Sequence, residues 1–238
     1  MSVVELSDGS FVVVGDSSSS DAGFNSVNSD TSIVVKYDKN GKELWVKALT
    51  SSVNEVSYKA IETPDDGVVV VGQSCFKNNE FTYTGLKATV RKFDKDGNEE
   101  WASIFGTSRD NIYKSVALTK DNGFIVVGCA YGPIPNLVNA GNGDAIISKY
   151  SSNGQLEWMK NFGTSSYDCY SSVATASDGG YIAVGVTDSN KDGVNDALIS
   201  KYDRDGNLLW NKTINGNKAD SIDSVMEISN GDILADAS

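Results

Sequence analysis

Histidine is absent from the 238 residues. A Ser-His-Asp or Cys-His nucleophile is therefore excluded, and so is a histidine-based zinc centre. Long apolar runs are missing too. The longest, such as Val68 to Val71 and Phe124 to Val127, fall far short of the roughly 20 residues of a membrane helix, so membrane insertion is not expected. Basic residues are few: 20 Lys and Arg against 32 Asp and Glu leave a formal charge of −12. That balance argues against nucleic acid as a partner, because such binding rests on cationic side chains neutralising phosphates. It suits a secreted or cell-surface protein that binds cations. The three cysteines, Cys75, Cys129 and Cys169, are an odd number without metal-type spacing and read as small buried residues. No signal peptide is visible, since Met1-Ser2 runs straight into Val3-Val4; a start inside a strand pattern reads as a trimmed segment of something longer.

What is present is a repeat. Tryptophans fall at Trp45, Trp101, Trp158 and Trp210, each after one kind of turn: "YDKNGKELW" (37–45), "FDKDGNEEW" (93–101), "YSSNGQLEW" (150–158) and "YDRDGNLLW" (202–210). A second turn, marked by Gly9, Gly67, Gly123, Gly179-Gly180 and Gly231, precedes "FVVVG", "VVVVG", "FIVVG" and "YIAVG" in the first four copies. A period of this length signals a repeat architecture. Each unit reads as four short strands rich in Val, Ile, Tyr and Trp, bounded by Gly, Asp and Asn. No stretch keeps a 3.6-residue apolar period, so no helix is expected. Asp38, Asp94 and Asp203 are placed to accept backbone N–H groups of their turns, with Ser151 in the same place. Gly41, Gly97, Gly154 and Gly206 can take the positive φ that a short bulged hairpin needs.

A four-stranded antiparallel unit of this size, repeated about an axis, is a β-propeller blade. The expected fold is an all-β propeller with blades at about 2–49, 57–105, 113–162 and 170–214 and a half blade at 222–238. "DGGYIAVGVT" (178–187) and "DALISKYDRDGNLLW" (196–210) resemble the blades of the bacterial β-propeller repeats called SBBP and their relatives in clostridial surface proteins. The first unit departs most, with Thr31 where the fourth has Asp196. The resemblance implies the fold and carries no shared catalytic residue. The turn leading to each tryptophan is also similar to the tryptophan-docking motif of quinoprotein-like propellers, a mechanical likeness that implies no quinone. One tryptophan per unit reads as the residue that packs each blade on the next.

In such a fold the short turns lie on one face and the long connections on the other. The long ones vary: 16–30 is Ser-rich, 73–86 carries Phe76, Phe81 and Tyr83, and 129–143 carries Tyr131, Pro133 and Pro135. Constant scaffold with variable connections is the pattern of a binding face, for which a glycan or a protein is the expected ligand. The fourth, "DSNKDGVND" (188–196), has oxygen-bearing side chains at alternate positions. Asp188, Asn190 and Asp192, the backbone carbonyl of Val194 and the closing Asp196 suit a structural Ca2+, which takes six to eight oxygen ligands at roughly 2.3–2.6 Å. The string resembles the first nine positions of an EF-hand loop and the hairpin loops of integrin-type propellers. It lacks the EF-hand's closing Glu, because Ile199 stands there.

Asp110, Asp168 and Asp220 recur between units, four or five residues after Gly106, Gly163 and Gly216, and read as turn caps. "NKT" (211–213) is a glycosylation sequon on an expected strand. The functional reading is a non-catalytic secreted or cell-surface binding module. Its alternatives are a polysaccharide-acting enzyme using Asp or Glu and a self-assembling repeat. A half blade leaves strand edges open to another chain, so the chain reads either as a fragment of a larger propeller or as a segment that forms a homo-oligomer to complete the ring.

Overall fold

A computed structural model of the chain describes residues 2–17, 31–49, 54–75, 85–106, 109–132, 134, 137, 140–216 and 218–237. Most of the Ser-rich connection lies outside the described residues, as do Phe76, Phe81, Tyr83, Pro133 and Pro135. Among the described residues every regular element is a strand. The first sheet runs β1 (Ser2–Glu5), β2 (Phe11–Ser17), β3 (Thr31–Tyr37), β4 (Glu43–Leu49); the second runs β5 (Asn54–Glu62), β6 (Val68–Cys75), β7 (Lys87–Phe93), β8 (Glu99–Phe105). The third is β9 (Asn111–Leu118), β10 (Phe124–Ala130), β11 (Asp144–Tyr150), β12 (Leu156–Phe162), and the fourth β13 (Asp168–Thr175), β14 (Tyr181–Thr187), β15 (Asp196–Tyr202), β16 (Leu208–Ile214). A two-stranded sheet, β17 (Ile222–Glu227) and β18 (Ile233–Ala237), follows. All pair antiparallel in sequence order, which makes the fold all-β, blade-based and propeller-like.

The turn chemistry explains the hairpins. Asp38 Oδ1 accepts the N–H groups of Asn40 (2.8 Å) and Lys42 (2.9 Å), and Asp94 and Asp203 repeat the pattern. Gly41, Gly97, Gly154 and Gly206 sit at φ +79° to +82°, a region costly for any residue with a Cβ. A bulge follows in each hairpin, at Lys36/Tyr37, Lys92/Phe93, Lys149/Tyr150 and Lys201/Tyr202. It sets each lysine opposite the tryptophan of the next strand.

The chain forms two compact units, residues 1–113 and 114–238. In the first, Val12, Val14 and Val34 pack with Ala60, Val68, Val70 and Phe93. In the second, Ile125, Val127 and Ile147 pack with Tyr170, Val173 and Leu198, while Ile222 joins Ile182 and Val184. Each such side chain contributes about 1.5–3 kcal/mol, against roughly 1 kcal/mol for one turn hydrogen bond. Packing of sheet on sheet therefore stabilises the fold more than the turns do. Two tryptophans brace it: Trp45 lies against Gly97 and donates from Nε1 to the Lys95 carbonyl at 3.1 Å, and Trp158 lies against Gly206, whereas Trp210 is exposed.

Two of the cysteines correct the sequence reading. Cys129 on β10 and Cys169 on β13 are fully buried, but they are joined in a disulfide with Cα atoms 4.8 Å apart. Cys75 takes no part in it.

Candidate functional site

The connection between β14 and β15 folds on its own side chains. The Asp188 N–H is anchored to the Tyr167 carbonyl at 3.0 Å. Asp188 Oδ1 accepts the Gly193 N–H (3.3 Å), Asn190 Oδ1 accepts the Asp192 N–H (3.3 Å), and Asp192 Oδ1 accepts the Val194 N–H (2.8 Å). Lys191 and Gly193 both take positive φ, +62° and +81°, which bends the backbone around these side chains. Asp188, Asn190 and Asp192 thus share one tight, solvent-facing turn with Val194. Among the described residues, no three Asp, Glu or Cys side chains converge as a ready-made metal cage.

Asp196 behaves differently. It opens β15 opposite Thr187, is 1 % exposed, and neither carboxylate oxygen has a hydrogen-bond partner among the described residues. Burial pushes its carboxyl above the usual range, and the charges of Asp192, Asp220 and Asp188 push the same way; the Gly216 N–H lies close enough to oppose them but does not reach hydrogen-bond geometry. The structure therefore adds a residue to this neighbourhood. Asp220 stands on the connection from β16 to β17, and its N–H donates to the Asn195 carbonyl at 2.8 Å. A cavity of about 240 Å³ lies there, lined by Val186, Asn195, Ala219, Asp220 and Ser221.

The turn-cap reading holds for Asp168, which accepts the Thr164 N–H (2.6 Å) and hydroxyl (2.9 Å) of its own turn. Asp110 instead accepts the Leu86 N–H (2.8 Å), 24 residues back in the chain. For Asp220 the cap reading omits its nearness to Asp196. The two positions are 24 residues apart, and the pattern Asp220 shares with Asp110 and Asp168 gives no hint of the difference.

Position 144 on β11 is the counterpart of position 196 on β15. Asp144 faces Ala130 as Asp196 faces Thr187. It too is buried, but it accepts the Asn161 side-chain amide at 2.6 Å and the Ala140 N–H at 3.1 Å. Register places Thr213 where blade three has Asn161. Thr187, the one hydroxyl opposite Asp196, donates to Asp168 instead, at 2.5 Å.

The face with the short turns carries a second feature that sequence reasoning missed. Lys36, Lys92, Lys149 and Lys201 are all buried on the third strand of their sheets. Each reaches an acid of the preceding turn: Asp8 (3.8 Å), Asp65 (2.6 Å), Asp121 (2.9 Å) and Asp178 (2.8 Å). Lys92 also meets Glu100, and Lys149 meets Glu157 at 3.2 Å. The available signal was a lysine before the aromatic residue in every repeat. In the second unit these groups line a cleft of about 600 Å³ with Trp158 and Tyr181, whose rings lie 6.0 Å apart. Burial opposes ionisation of Asp121, but the Thr119 hydroxyl, Lys149 and the Gly123 N–H outweigh it and hold the carboxyl at about 2.

No protein-family model matches the chain, and no curated protein matches it. Among solved structures it is similar to a protein of unknown function from Dyadobacter fermentans, with a TM-score of 0.63 and 14% identity over 98% of this chain and 73% of that one. It is similar to a protein of unknown function from Bacteroides caccae (TM-score 0.52, 15% identity), covering 87% of this chain and 65% of that one. It is also similar to the α-L-arabinofuranosidase Arb93A from Fusarium graminearum (TM-score 0.51, 12% identity), covering 92% of this chain and 72% of that one. The chain spans about two thirds to three quarters of each, and at these identities the likeness is one of fold.

Proposed function

We propose that the chain is a non-catalytic binding module of a secreted or cell-surface protein, presenting its long connections to a glycan or protein. The observation that carries this reading is the state of its carboxylates. Hydrolysis of a glycoside needs one carboxyl able to donate a proton and a second beside the same bond. The acids lining the large cleft include Asp121, Asp178 and Glu157, which are ion-paired to Lys149 or Lys201. Asp121, held at about 2, is a poor proton donor near neutral pH. Asp144 and Asp196, whose carboxyls are raised, are buried at strand starts outside that cleft. The Cys129–Cys169 disulfide supports an oxidising compartment, and the repeated hairpins support kinship with bacterial SBBP-type propeller repeats.

A glycan and cell-surface protein array, run beside a hydrolysis screen that includes arabinosides, tests the reading. Saturable binding without turnover is expected. Turnover of any polysaccharide would replace the reading with the enzymatic one.

A second reading, self-association, has its own observation. On β16, β17 and β18, Leu209, Ile214, Met226 and Leu234 are each more than half exposed. A second copy covering this face would bury them. Light scattering showing mass that rises with concentration supports this, and a constant monomer mass excludes it.

A further inference from the structure

The geometry points to a calcium site centred on Asp196 that draws in Asp188 and Asp192 from one connection and Asp220 from the next, fastening the β17–β18 hairpin to the fourth blade. Four observations converge on it. Both Asp196 oxygens are buried and without a hydrogen bond among the described residues, and a buried carboxylate is costly unless it takes up a proton or gains a counter-charge. Among the described residues no lysine or arginine pairs with it, although each four-stranded sheet has a buried lysine for its turn acid. The equivalent Asp144 shows how the fold satisfies this position by itself, with Asn161 and the Ala140 N–H. The two connections already meet through the Asp220 N–H and the Asn195 carbonyl, next to the 240 Å³ cavity.

Oxygen ligands alone and no sulfur or imidazole suit a hard cation. Asp196 offers two oxygens, and Asp188, Asp192 and Asp220 one or two each. Backbone carbonyls and water complete six to eight at roughly 2.3–2.6 Å. Mg2+ demands a tighter octahedron and sheds water reluctantly, so a site spread over two connections favours Ca2+. Binding requires Asp188 and Asp192 to turn from the Gly193 and Val194 amides toward Asp196, which reorders the turn. Asp220 separates this site from one made by the nine-residue connection alone.

The test is calcium titration of chelator-stripped protein, by calorimetry and by thermal unfolding, with magnesium as comparator. One binding event is expected. At calcium a hundredfold above Kd, Tm should rise by on the order of 5–10 °C. Asp196→Asn abolishes both signals, Asp220→Asn weakens binding at least about tenfold, and Asp144→Asn leaves it intact. If Asp196→Asn fails to fold, Asp192→Asn and Asp220→Asn together carry the test. Absence of heat and of any Tm shift in the wild type overturns the site. Wild-type binding in Asp220→Asn removes Asp220 from it, and loss of binding in Asp144→Asn moves the site to the third blade.

Discussion

Asp144 and Asp196 occupy the same place in consecutive blades, each the first residue of a third strand and each buried. One is answered by an amide side chain and a backbone N–H; the other makes no hydrogen bond among the described residues and feels the like charges of Asp192, Asp220 and Asp188. Two changes account for the contrast. Thr213 replaces Asn161 in register, and residue 192, four before Asp196, has its N–H committed to Asn190, whereas Ala140 gives its N–H to Asp144. A repeat thus determines where a carboxylate is placed, and the neighbours decide whether its hydrogen bonds are satisfied.

The contrast can be broken in four ways. The largest effect belongs to the packing that holds any two blades in register. A Cβ at Gly206 would lie 2.7 Å from the Trp158 ring at φ +79°, whereas Gly41, at φ +82°, has nothing within 4 Å. Gly206→Ala should cost roughly 2–4 kcal/mol and Gly41→Ala only about 1 kcal/mol by chemical denaturation, because the second carries backbone strain without a clash. Next, Asn161→Thr converts blade three to the blade-four pattern and strips Asp144 of its amide. A loss of roughly 1–3 kcal/mol is expected. The reverse exchange, Thr213→Asn, should stabilise the calcium-free protein by about 1 kcal/mol and weaken its calcium response. The smallest effect is acid sensitivity on the other face. Asp121 is held below its ordinary 3.8, at about 2, so its pairing adds stability above pH 3.8 that disappears as pH falls through about 2. Its carboxylate is well exposed, so the contribution is under about 1 kcal/mol. Asp121→Asn should flatten the fall in Tm over that range.

Much of the fold was legible because its determinants are local. The Asp-to-Gly turn places its own hydrogen bonds within five residues, as Asp38 and Asp203 show. Asp188, Asn190 and Asp192, read from the sequence as calcium ligands, share one turn around Gly193 in the structure. What escaped depends on distant partners. Lys149 looks like one polar residue in an alternating strand until Asp121, 28 residues away, comes beside it. The Cys129–Cys169 link spans 40 residues and exists only because β10 and β13 belong to adjacent sheets. Asp220 reads as one more cap until stacking sets it near Asp196.

The most direct measurement is equilibrium unfolding of Asp144→Ala and Asp196→Ala side by side in chelator. Asp144→Ala should lose roughly 1–3 kcal/mol, because the Asn161 amide and the Ala140 N–H are left unanswered. Asp196→Ala should lose nothing or gain stability, because it removes a buried charge that no described group satisfies. Equal losses at the two positions, or a larger loss at 196, would contradict the account.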